Sequence, residues 1–414
     1  MQTATHRARG LVLTEHEFEL PLDHAEPGGR TVTVFAREVV GSGRETDELP
    51  WLVFFQGGPG FEAARPTRPG SPTWLERALQ DYRVLLLDQR GTGRSTPVGA
   101  LAGMEPSEQA DYLAHFRADA IVRDAELIRG ELGVGRWSVL GQSFGGFCVT
   151  RYLSAAPEGL AEAFITGGLP PLDLDADEIY RATYRRVLAR NLAYYERYPE
   201  DRERVRRIVE RLEEEDVRLP SGDRLTARRF RQLGNALGMS DGFERVHYVV
   251  ELPFGSPAFL HDAEGGFLSF ARNPIYAVLH EACYAQRVAT RWSAERMLPD
   301  DFREDPTLFT GEHIYPWMFE EQGALRPLAE AAHLLAEREW PELYEAARLA
   351  DNDVPAAAAI YADDMYVERE YSEETAAVIR GLRAWITNEY EHDGLRADGA
   401  RVFGRLLELR RGEE

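Results

Sequence analysis

Cysteine is nearly absent. Cys148 and Cys283 are the only two among 414 residues, too few for a disulfide framework or a cysteine-based zinc site. Long apolar runs are missing as well: no stretch approaches the ~18 consecutive apolar residues that a membrane-spanning helix needs. The basic residues near the N-terminus are not followed by the apolar segment of a secretory leader. A reducing cytoplasm is therefore the expected setting. Positive charge is in deficit, with 48 Lys and Arg against 70 Asp and Glu for a net charge of −22. A surface of that sign repels phosphate backbones and anionic lipid heads, so neither nucleic acid nor membrane is an expected partner. There is no internal repeat and no low-complexity tract, only a local Arg/Glu bias over 201–218.

What is present is ordinary globular material, 44% hydrophobic and 29% charged, ample for a buried core. Residues 17–20 and 31–38 alternate apolar and polar around a Pro-Gly-Gly turn, the pattern of an antiparallel hairpin or meander. The texture then changes. Residues 51–55, 83–87 and 137–140 are short, nearly continuous apolar runs ending in Gly-rich or polar turns, as strands buried on both faces do. Residues 73–80 and 118–132 between them have helical spacing. Strand and helix in alternation predict a doubly wound, mostly parallel α/β sheet. From 171 to 322 charged amphipathic segments (179–198 and 202–215) and aromatic-rich stretches (254–270 and 314–319) predict a mainly helical insertion. Strand texture returns at 354–361 and 384–387, before a last helix over 397–410. The expected organisation is a core from 1–170 and 323–414, with a helical cap from 171–322.

The chemistry concentrates at strand ends. Gly141-Gln-Ser143-Phe-Gly145 is G-x-S-x-G between an apolar strand and a helix, a sharp turn that lifts the serine hydroxyl above a sheet. It also aims the N–H groups of a helix N-terminus at developing negative charge. Ser143 is thus a candidate nucleophile, weighed against an ordinary Gly-rich turn. Gln56-Gly-Gly-Pro-Gly60 ends another strand. Its side-chain-free backbone can offer an oxyanion the N–H of Gly58, with Phe144 N–H as the second donor. Asp88-Gln-Arg-Gly-Thr-Gly-Arg-Ser95 lacks the lysine of a phosphate loop, and reads as a turn in which Asp88 and Arg90 pair to brace the site. A nucleophilic serine needs a base, and the base an orienting acid. His333 lies in a helical Ala/Leu/Glu stretch, whereas His392 follows the 384–387 strand in a loop and is the candidate base. Asp363 and Asp364 both follow the 354–361 strand as candidate acids, giving the chain order Ser, Asp, His of an α/β-hydrolase.

These strings together resemble the prolyl aminopeptidase (proline iminopeptidase) family of serine peptidases, which has the α/β-hydrolase fold. Residues 56–60 are similar to its H/Q-G-G-P-G loop, 88–95 to its D-Q-R-G-x-G-x-S turn, and 141–146 to its G-x-S-x-G-G elbow. Ala362-Asp-Asp364-Met365 stands where the family has R-Y-D-M/V, which selects Asp364. Glu391-His392-Asp393-Gly394 replaces the usual G-H-S, so His392 rests on position more than on motif. The resemblance implies release of an N-terminal residue, preferentially proline, from short peptides with a free N-terminus, without metal or organic cofactor. It also implies cap carboxylates that hold the substrate amine. Candidates are Glu281, in Leu279-His-Glu-Ala-Cys-Tyr284, and Glu312, in Phe309-Thr-Gly-Glu-His-Ile314, each weighed against a solvated helix face in a protein with 70 acids. The cap departs from the family's tryptophan-rich signature. A serine esterase or lactonase sharing the same triad is the first rival, since fold and nucleophile do not select a substrate. A non-catalytic hydrolase-fold binding protein is the second.

Overall fold

Which face of the sheet a side chain serves follows from its parity along the strand. In β4 (Trp51–Phe55) Leu52 and Phe54 face one way while Val53 and Phe55 face the other, and all four are buried. A computed structural model describes residues 2–266 and 269–413; Phe267 and Leu268, inside the aromatic-rich stretch 254–270, lie outside the described residues. The other strands are β1 (Gln2–Ala8), β2 (Leu11–Pro21), β3 (Thr31–Gly41), β5 (Arg83–Leu87), β6 (Trp137–Gln142), β7 (Leu160–Thr166), β8 (Ala356–Tyr361) and β9 (Leu382–Thr387). The helices that frame them include α1 (Leu75–Asp81), α2 (Ala118–Glu131), α3 (Phe144–Ala155), α4 (Ala176–Arg197) and α5 (Gly399–Arg411).

Among the described residues the strands form one sheet in the order β1-β2-β3-β5-β4-β6-β7-β8-β9. The expected hairpin is there: β2 and β3 pair antiparallel from Leu11 opposite Gly41 to Pro21 opposite Thr31. From β5 through β9 every pairing is parallel. One apolar layer joins Phe54, Leu140, Phe164 and Ala357 to Leu75 of α1 and Phe403 of α5. The opposite layer joins Phe55, Val139, Ile165 and Ala358 to Ile121 of α2 and Phe147 of α3. After β4 the chain moves out to β5 and then returns past β4 to β6. The strand order therefore reverses between β4 and β6, and open α/β sheets bind ligands in the crevice beyond the strand ends at such a point.

Two strands carry no signal of the kind read above. β1 has only exposed or half-exposed residues, so nothing along it alternates. β7 contains Glu162, whose carboxylate accepts from Tyr82 Oη at 2.7 Å and Ser138 Oγ at 3.0 Å and pairs with Arg410. The expected Asp88–Arg90 pair does not form. Arg90, fully buried, instead forks onto Asp124 of α2 and donates to Leu22 O (2.8 Å) and His115 O (2.7 Å). Asp88 accepts Arg94 N at 3.0 Å inside its own turn, and burial raises its pKa above the usual value. Breaking a buried pair such as Arg90–Asp124 typically costs about 3–5 kcal/mol, so Arg90 braces the turn through α2.

Between β7 and β8 the described residues form helices, turns and one isolated bridge, Arg218 with Arg224. α4 opens on Asp175, whose carboxylate accepts Glu178 N at 3.0 Å and satisfies one N–H of the first turn. The Arg186 guanidinium of α4 grips Glu368 beyond β8, Nε to Oε2 at 2.8 Å. Among the described residues no helix is long and apolar enough to cross a membrane.

Candidate active site

Ser143 sits between β6 and α3 at φ 55° and ψ −126°, a left-handed backbone that a side-chain-bearing residue adopts only when its surroundings force it. The surroundings are specific. A Cβ at Gly141 would lie 2.3 Å from Gly145 O, and one at Gly145 would lie 2.0 Å from Phe55 O. Both flanking glycines are therefore demanded by close backbone approach, which locks the first turn of α3 against the end of β4. Ser143 N donates to Thr166 O at 2.9 Å and Gly146 N to Ser143 O at 2.7 Å, completing the turn. Phe144 opens α3, and the first N–H groups of a helix have no intrahelical acceptor.

The loop after β4 comes up beside this turn: a Cβ at Gly57 would meet Ser143 Cβ at 3.0 Å. The Gly57 and Gly58 N–H groups find no acceptor among the described residues. Gln89 Nε2 donates to Gln56 O at 3.0 Å, so the turn after β5 steadies the loop.

His392 follows β9 and is buried, its ring tilted on Tyr366 at 4.6 Å between centroids. Its Nδ1 lies 2.7 Å from Asp364 Oδ2. A carboxylate only accepts, so Nδ1 carries the proton and Nε2 presents its lone pair. Asp364 Oδ1 is held by Tyr366 N (2.8 Å) and Val367 N (3.0 Å). Asp364 is buried and Asp363 exposed, so only the former faces the ring. Burial alone would push the His392 pKa down, but the charge and hydrogen bond of Asp364, with help from Glu312 and Asp393, leave it raised above the ordinary histidine value. Ser143 Oγ makes no hydrogen bond to the ring among the described residues; catalytic contacts of this kind often tighten only when substrate is present.

Ser143, Gly58, His392 and Glu312 line one cavity of about 320 Å³. Glu312 accepts from the Tyr276 hydroxyl, and His280 Nε2 stands 3.4 Å from its Oε2. Burial would raise its pKa, yet His280 and then Tyr276 hold it below the ordinary glutamate value, so it is ionised. Phe61 packs edge-on to Tyr276 at 5.4 Å and Phe270 stacks on it at 5.6 Å, giving the carboxylate an aromatic surround. Glu281 is elsewhere. It accepts Ala294 N at 2.8 Å, burial raises its pKa, and it does not line this cavity. Of the two candidate carboxylates, the structure brings Glu312 and not Glu281 into the cavity that Ser143 lines. Sequence reasoning passed over Tyr276 and His280, which hold Glu312; their i, i+4 spacing, one face of a helix, was the available signal. Among the described residues no cluster of three or more His, Cys, Asp or Glu is arranged to hold a metal ion.

A serine at a strained strand-to-helix turn, a buried His–Asp pair past the last two strands, and a reversal of strand order beneath them define an α/β-hydrolase. Residues 50–253 match the family model for the alpha/beta hydrolase fold. The chain is 50% identical over 420 residues to proline iminopeptidase from Aeromonas sobria, covering 97% of each chain. It is 37% identical over 423 residues to a proline iminopeptidase from Aspergillus aculeatus, covering 96% of this chain and 93% of that one. The chain belongs to the proline iminopeptidase family.

Proposed function

We propose that this protein is a serine aminopeptidase that releases an N-terminal residue, preferentially proline, from short peptides through an acyl-enzyme. The observation that carries the reading is one cavity lined at once by Ser143, by the His392 ring paired with Asp364, and by the ionised Glu312. In the proposed mechanism Ser143 Oγ attacks the scissile carbonyl as its proton passes to His392 Nε2. Asp364 keeps Nδ1 protonated and stabilises the imidazolium. The N–H groups of Gly58 and Phe144 receive the tetrahedral oxyanion. His392 then protonates the departing nitrogen, and a water activated by the same imidazole hydrolyses the ester. Glu312 retains acceptor capacity beyond its Tyr276 and His280 contacts and binds the protonated α-amine, so a substrate with a blocked N-terminus is disfavoured. In this reading residues 171–322 are the cap that supplies Glu312, and 1–170 with 323–414 are the core that supplies the triad. Its setting is the cytoplasm, where the buried thiols Cys148 and Cys283 stay reduced.

The test is kcat/KM for Pro-, Ala- and Leu-arylamides and a short-chain nitrophenyl ester, on wild type and Ser143→Ala. Proline arylamide is expected to lead, with at least a ~10³-fold loss in Ser143→Ala. An ester turned over faster than every arylamide favours the esterase instead.

A further inference from the structure

A second cavity, of about 410 Å³, adjoins the first. The two share a wall made by Gln56, Gln142 and Met239. Its apolar lining comes from Phe54, Pro72, Trp74, Met239 and Leu395. Its charged lining residues, Asp393 and Arg396, form an ion pair, and Arg396 also pairs with Asp241 at 3.1 Å. The carboxamides of Gln56 and Gln142, flanking the oxyanion loop and Ser143, make no side-chain hydrogen bond among the described residues, although each residue is partly exposed to the cavities.

Acyl transfer divides the substrate into two halves that leave in different directions. The acyl half must lie where Glu312 can reach its amine, in the first cavity. The leaving nitrogen must take its proton from His392, so the rest of the peptide departs past that ring. The residues that follow His392, namely Asp393, Leu395 and Arg396, line the second cavity. We propose that the second cavity binds the leaving peptide: its apolar lining takes the side chain of the substrate's second residue, and the Gln56 and Gln142 carboxamides hydrogen-bond that residue's backbone. The substrates of choice are then peptides with a large apolar second residue. This assignment rests on the aminopeptidase reading above.

The experiment compares prolinamide, whose leaving group is ammonia alone, with Pro-Gly-amide, Pro-Leu-amide and Pro-Phe-amide. In wild type kcat/KM should rise roughly tenfold or more from the glycyl to the leucyl and phenylalanyl substrates, the effect expected of burying one apolar side chain. The second arm is Ala64→Trp. Ala64 lines the cavity from an exposed loop position, so an indole there fills the space without disturbing the core. The ratio of kcat/KM for Pro-Phe-amide to that for prolinamide should drop about tenfold in this variant, with thermal unfolding checking that it is folded. A flat wild-type series, or a ratio unchanged by Ala64→Trp, overturns the assignment. Failure of wild type to cleave even prolinamide overturns the aminopeptidase reading and takes this proposal with it.

Discussion

Replacing Glu312 by glutamine isolates the charge that the proposed chemistry assigns to amine binding. The substitution keeps the shape of the side chain and an acceptor for the Tyr276 hydroxyl, removes the negative charge, and turns the oxygen beside His280 into an NH2 donor. The Glu312 side chain is 19% exposed, so its field is neither that of bulk water nor that of a dry interior. At an effective dielectric near 20, two unit charges ~4 Å apart attract by about 4 kcal/mol. Glutamine recovers part of that as a neutral hydrogen bond, leaving a loss of about 2–4 kcal/mol. Each ~1.4 kcal/mol is a factor of ten, so kcat/KM for proline p-nitroanilide should fall between roughly 30-fold and 1,000-fold. The acyl half of p-nitrophenyl acetate carries no amine, and its hydrolysis should change less than about threefold. If the amine contact is made equally in ground and transition states, the loss appears in KM. Glu281→Gln is the companion: its carboxyl bonds Ala294 N away from the cavity, so the ratio of the two substrates should stay at the wild-type value. A Glu312→Gln enzyme that loses both activities equally, or neither, refutes the reasoning.

The proposed mechanism needs His392 neutral, and its pKa is raised above the usual histidine value. The acid limb of kcat/KM against pH should therefore lie above about 6.5, with activity rising as pH climbs through it. Asp364→Asn removes the largest upward pull and leaves only Glu312 and Asp393 against burial, so in that variant the limb should move to lower pH while kcat falls by about 10²–10⁴; a limb that stays in place contradicts the assignment of Asp364. Gly145→Ala puts a Cβ 2.0 Å from the backbone oxygen of Phe55. The first turn of α3 must then shift, with a stability loss of about 3 kcal/mol by thermal denaturation and a loss of activity out of proportion to it. Retention of full activity would mean that the turn tolerates more space than its geometry suggests.

The features legible in the sequence are those with a local cause. β4, β5 and β6 stand out as apolar runs because they are buried on both faces. Ser143 stands out because Gly141 and Gly145 are needed within two residues of it. What escaped has causes far away in the chain. β7 hides behind Glu162, whose partners are Ser138 in β6, Arg410 in α5 and Tyr82 between α1 and β5. Arg90 seemed to belong to Asp88 two residues back, whereas its fork is taken by Asp124, 34 residues on. Glu281 and Glu312 looked equivalent because aromatic neighbours surround both. Only the fold turns one into the cavity and the other onto the backbone of Ala294. Asp363 and Asp364 illustrate the same limit, since burial of one and exposure of the other follows from the tertiary path after β8.

The central claim is that the Ser143 hydroxyl is a nucleophile activated by the His392 imidazole. Its most direct measurement is the rate at which a fluorophosphonate probe modifies the folded protein, read by intact mass and by mapping the labelled peptide. The account predicts one adduct, on Ser143, with labelling slowed at least ~100-fold in a folded His392→Ala variant. An adduct on another residue, or a Ser143 labelling rate indifferent to loss of the imidazole, would contradict it.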